Sequence, residues 1–176
     1  MARRGAAGGF FFVSHDHEQL IHRAKPGHDN ATPSGNGVAA FALQRLGHLI
    51  GEPRYLEAAE RALRLFYAAL ERQPGGFVSL ATALDEFLVP PQIVVLRGEA
   101  RALAEWQRAL VARYRPDTLI LAIPPGRAGL PPVLDKAAPP AGASAWVCRA
   151  AACLPAIGDL AELERVLAAG RGATQS

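Results

Sequence analysis

Cysteine is nearly absent: the 176-residue chain has two, Cys148 and Cys153. That is too few to staple a small secreted domain, and a Cys-x4-Cys pair with no further Cys or His close by is a poor zinc site. The expectation is a reducing compartment, the cytoplasm. A disulfide or redox pair is the alternative to two inert thiols, and the apolar neighbours Val147 and Leu154 favour inert, partly buried sulfurs. No apolar run approaches the roughly 20 residues of a membrane span. The stretch Met1 to Val13 is short and runs straight into Ser14, His15, Asp16 and His17, which does not make a signal peptide. A clustered basic tract is missing too. The 19 basic and 16 acidic residues leave a net charge of +3 spread over the length, and a nucleic-acid footprint would be concentrated. Neither nucleic acid nor membrane is an expected partner.

What is present is a composition that folds. Half of the residues are apolar and a fifth are charged, within the globular range. From Ser34 to Ile50 the residues Val38, Phe41, Ala42, Leu46, Leu49 and Ile50 recur at helical spacing, and Ala39, Ala40 and Leu43 fill further positions, so this helix is expected to be largely buried. Gly51 ends it, and Pro53 opens the next helix at a position where a missing N–H costs nothing. That helix, about Pro53 to Gln73, carries Leu56, Ala59, Leu63, Phe66, Tyr67 and Leu70 on one stripe. The pairs Glu57–Arg61 and Glu60–Arg64 lie on the other, as expected of a half-exposed helix packed antiparallel to the first. A third helix runs from Phe77 to Leu88, until Pro90 and Pro91 forbid continuation.

Beyond Pro90 the pattern changes. Ile93 to Leu96 and Thr118 to Ile123 are short apolar runs separated by Gly98 and an amphipathic helix from Glu99 to Arg113, a βαβ pattern with parallel strands. The expected fold is mainly α, with residues 1–89 forming helical hairpins and 90–176 a small βαβ-containing segment. With only Gly98 after its first strand, the βαβ unit lacks a turn that cradles a pyrophosphate. No cofactor is expected. Pro124 to Gly142 reads as an irregular excursion, Ala145 to Arg149 as a further strand, and Asp159 with Glu162 as the capped start of a last helix.

The loop from His15 to Asn36 is the most polar stretch and the best candidate site. Asp29 is the candidate general acid or base. Arg23 and Lys25 suit an anionic or hydroxyl-rich ligand, with Ser34 and Asn36 as hydrogen-bonding partners. The structural alternative is equally physical: Asp29 and Ser34 capping turns and the following helix, Gly35 allowing a close backbone approach, and Asn36 satisfying buried backbone groups. His15, His17, His22 and His28 lack the spacing of a metal site, and none is expected.

The run Arg23-Ala24-Lys25-Pro26 followed by Asp29-Asn30-Ala31-Thr32-Pro33-Ser34-Gly35-Asn36 resembles the thioredoxin-domain-containing family that includes the spermatogenesis-associated protein 20 of animals. Gly8-Gly9-Phe10-Phe11, Pro91-Gln92-Ile93-Val94-Val95, and Val147-Cys148-Arg149 with Cys153-Leu154-Pro155 fall in the family's order. Asn30 stands where the family pattern has glycine, and His15-Asp16-His17 departs from it too. The resemblance implies a C-terminal portion: part of an (α/α)6 toroid like that of six-hairpin glycosidases, plus a small α/β segment, without the thioredoxin-like domain. It implies a carbohydrate-like ligand, with Asp16, Glu18 and Asp29 as the acids on the loop. No catalysis is expected from this portion alone. Self-association, or a partner carrying the N-terminal half, would cover its open helical faces. A non-catalytic scaffold module is the competing expectation.

Overall fold

In the computed structural model, which describes residues 8–14, 23–150 and 152–169, the first helix, α1 (Gly35–Ile50), begins where the Ser34 hydroxyl accepts the backbone N–H of Gly37. It ends at Gly51, whose φ of +72° lets its N–H turn back onto the Gly47 carbonyl, a conformation that costs other residues energy. Pro53 then opens α2 (Pro53–Arg72). A short 3-10 turn, Pro74–Gly76, leads into α3 (Val78–Leu88). These elements lie in the first of two units, Met1–Val89 and Pro90–Ser176.

The interior of the helical unit corrects the expectation for α1. Its buried residues are Asn36, Gly37, Ala40, Gln44 and Gly47, whereas Val38 is 51% and Leu46 39% exposed. Small residues win because α1 packs against both α2 and α3, and two helices approach closely only where side chains are short. Gly37 shows the limit: a Cβ there would lie 2.1 Å from the Ser79 hydroxyl of α3. The close approach belongs to Gly37 and not to Gly35, which has open space around its Cβ position. Ala40, Ala59, Ala62, Leu63, Phe77, Leu80 and Ala83 complete this core.

In the second unit β1 (Gln92–Gly98) leads through α4 (Ala100–Val111) to β2 (Thr118–Ile123), and β1 and β2 pair in parallel. After the connection from 124 to 142, β3 (Ala143–Arg149) returns antiparallel to β1, and β4 (Ala152–Cys153) folds back on β3. The strand order is β2-β1-β3-β4. Every residue of β1 is buried, as its central place and near-continuous apolar sequence require. Val94 and Leu96 of β1 and Ala145 and Val147 of β3 pack with Leu103, Trp106 and Leu110 of α4. Leu163 and Leu167 of the last helix, α5 (Leu160–Ala169), join them. The Asp159 carboxylate caps α5 by accepting the N–H of Glu162. The chain is thus mainly α with a small α/β part.

The second correction concerns the sulfurs. Cys148 and Cys153 are joined in a disulfide across the β3–β4 hairpin, where the two residues are register partners. Cys148 is fully buried, but Cys153 is exposed, as is Leu154. Sequence reasoning treated the two positions alike because both have apolar neighbours. The difference follows from position: Cys148 lies on β3, between β1 and β4, whereas both residues of the two-residue edge strand β4 are exposed. Ala150, at the tip of the hairpin, has φ +51°, a left-handed conformation that a Cβ makes costly.

Candidate functional site

The loop leading into α1 and the first turn of that helix hold all five candidate residues, and each is bonded to its own chain. Asp29 accepts three hydrogen bonds through its carboxylate: from the N–H of Ser34 (2.7 Å), the N–H of Ser79 (2.8 Å) and the Ser79 hydroxyl. Burial alone would raise its proton affinity. The Ser79 hydroxyl, the Ser79 N–H and the bonds from Ser34 outweigh burial, and its pKa falls below the ordinary 3.8. The carboxylate thereby joins the N-terminal ends of α1 and α3, where unpaired N–H groups favour a negative charge.

Asn36, buried at the first turn of α1, holds the segment before the helix. Its carboxamide oxygen accepts the Phe10 N–H, while its NH2 donates to the carbonyls of Phe10 and Pro26. Lys25 donates to the Gly8 carbonyl and Arg23 to that of Val13. Both cations lie over the Phe11 ring, at 4.5 and 4.2 Å from its centre. Ser34 caps α1, and its hydroxyl lies 3.1 Å from that of Ser79. His28 packs edge-on against Phe77. His15, Asp16, His17, Glu18 and His22 lie outside the described residues.

A second polar group was missed by sequence reasoning. The Arg45 guanidinium of α1 binds both carboxylate oxygens of Glu86 of α3 and lies 4.0 Å over the Phe41 ring. Glu86 is only 8% exposed. One turn further along α1, His48 has its pKa lowered from 6.5 by burial, with the Glu86 charge opposing. Gln44, fully buried, donates to the Ala83 carbonyl. The pair lies between two helices that are consecutive in space and not in sequence, so no local spacing announces it.

In the second unit Arg97 of β1 is 6% exposed, and its Nε and Nη1 have no hydrogen-bond acceptor among the described residues. On α2 and α3 a groove of about 380 Å³ is lined by Leu63, Tyr67, Leu84, Phe87 and Leu88 together with Glu60 and Arg64. Among the described residues no group of three or more His, Cys, Asp or Glu could hold a metal, and no helix is long and apolar enough to cross a membrane. No protein-family model and no curated protein matches the chain.

Proposed function

We propose that the helical unit is a non-catalytic packing module of a protein similar to the thioredoxin-domain-containing family, contributing α1, α2 and α3 to the wall of an (α/α) toroid. The observation that carries it is Asp29. A general acid or base has to bring its carboxyl group to a substrate atom, and this carboxylate is committed to Ser34 and Ser79, with its proton affinity lowered. The Asn36 carboxamide is likewise committed to the Phe10 and Pro26 carbonyls, and Lys25 and Arg23 each donate to one backbone carbonyl, while the buried Arg23 Nε has no acceptor among the described residues.

The toroid and its carbohydrate-like ligand rest on the sequence resemblance, and a cytoplasmic location rests on the scarcity of cysteine. The apolar groove between α2 and α3, with Tyr67 half exposed and Leu88 70% exposed, supports packing against further hairpins, from a second copy or a separately encoded chain. Incubating the chain with aryl glycosides and free sugars is expected to yield no hydrolysis and no epimerisation. Light scattering at several concentrations is expected to show self-association. Robust sugar turnover by the chain alone overturns the non-catalytic assignment. A monomer at high concentration that binds no hydrophobic dye overturns the packing assignment.

A further inference from the structure

We infer that Cys148 and Cys153 form a thiol–disulfide exchange couple, with Cys153 as the exposed reacting sulfur, Cys148 as the buried resolving sulfur and Lys136 as the cation beside the reacting one. Three observations converge on it. The two sulfurs are bonded, and their residues are register partners across β3 and β4. Their accessibility is unequal: Cys148 has no exposed surface, while Cys153 lies on the exposed edge strand. The Lys136 ammonium lies 3.4 Å from the Cys153 sulfur, and a cation at that distance favours thiolate over thiol.

Lys136 is placed there by the chain. The buried Leu134 anchors a turn in which the N–H groups of Leu134 and Asp135 donate to the Pro131 carbonyl and that of Lys136 donates to Leu134. Arg149 follows Cys148 in β3 and pairs in register with Ala152, and Asp135 precedes Lys136.

As a staple the bond has little to hold. It closes one of the shortest loops a hairpin permits, and a short loop removes the least entropy from the unfolded chain. The hairpin is also tied by the N–H of Leu154 donating to Val147 and by reciprocal bonds between Ala145 and Ile157. In a reducing compartment a persistent disulfide is the exception, and those that form there are typically transient and reactive.

The co-reactant is a low-molecular-weight thiol and its disulfide, RSH and RSSR. The Cys153 thiolate attacks one sulfur of RSSR, a Cys153–SR bond forms and RS⁻ leaves. The Cys148 thiol attacks the Cys153 sulfur, and its proton passes to the departing RS⁻. The Cys148–Cys153 bond forms and the second RS⁻ leaves. Two electrons pass from the dithiol to RSSR, which becomes two RSH, and the reverse reaction retraces the steps.

The test equilibrates the full chain in glutathione buffers from reducing to oxidising, followed by thiol alkylation and intact-mass measurement. A dithiol–disulfide transition within the glutathione range is expected, with the mixed disulfide mapping to Cys153 in the wild-type chain. Cys148→Ser should accumulate one glutathione and Cys153→Ser none. Lys136→Met should slow iodoacetamide alkylation of the reduced chain at neutral pH roughly tenfold and move its pH profile upward, while Lys136→Arg restores it. A bond that stays oxidised throughout, or glutathione mapping to Cys148, overturns the couple. Unchanged alkylation in Lys136→Met overturns the assignment of the lysine.

Discussion

The carboxylate of Asp29 accepts the backbone N–H of Ser79, a residue 50 positions further along the chain. Through that bond, and through its bond to Ser34, the loop before α1 and the first turn of α3 become one structure. Gly37 is the reason they can meet, since any side chain there would displace the Ser79 hydroxyl. A motif that looks like a ligand site in the sequence is here the joint of a three-helix packing.

Asp29→Asn is expected to lower the stability of the helical unit by about 1.5–3 kcal/mol, because the carboxamide NH2 would face donors that need an acceptor. The native contribution is also pH-dependent. A carboxylate whose folded pKa lies below 3.8 contributes stability that is fully present above that value and lost as pH falls through the folded pKa. Denaturant melts between pH 6 and pH 2 should show the wild type converging on the variant in acid. Parallel curves would contradict this.

Glu86→Gln is expected to cost about 2 kcal/mol, since it leaves Arg45, whose side chain is 24% exposed, without its countercharge. It should also lower the His48 pKa further by removing the one influence that raises it. With the folded pKa depressed below 6.5, the contribution of His48 is present above that value and is lost as pH falls. Titration of the imidazole by NMR in wild type and variant decides the point, and an upward shift would contradict it.

Ala150→Gly is expected to stabilise the second unit by about 0.5–1 kcal/mol, because glycine adopts the +51° φ without a Cβ penalty, less its own chain entropy. Thermal melts under oxidising and reducing conditions should both show the gain. A loss in either would mean that the alanine methyl makes a contact worth more than the strain.

Arg97→Met is expected to stabilise the chain by about 1–3 kcal/mol, since it removes a buried cation whose Nε and Nη1 lack acceptors among the described residues and keeps most of the side-chain volume. Equilibrium unfolding measures it. A destabilised variant would show that the guanidinium is satisfied in solution.

Where local chemistry decides the structure, it was legible in the sequence. The Ser34 cap, the Gly51 stop, the Pro53 start and the Asp159 cap all stand where residue type places them, and the parallel pairing of β1 with β2 follows from the helix between them. What stayed hidden depends on partners distant in sequence. Hydrophobicity pointed to Val38 and Leu46 as interior residues of α1, but close helix contact selected Gly37, Ala40 and Gly47. Asp29 has two of its donors on Ser79, which no spacing around Asp29 reveals. The disulfide was misread for a related reason, because the register of β4 on β3 depends on a two-residue hairpin with an alanine where a glycine would have signalled the turn.

Among the described residues β2 pairs with β1 alone, with consequences for handling the protein. β2 is an edge strand in the order β2-β1-β3-β4, and its sequence Thr-Leu-Ile-Leu-Ala-Ile carries no charge, the kind of segment that templates aggregation when it meets a second copy. Its gatekeepers are at the ends. Pro116 and Asp117 precede it and Pro124 and Pro125 follow it, and a proline cannot donate to a growing ladder. Any strand added from another molecule is therefore confined to six residues, and removing those prolines would lengthen the sticky edge at both ends.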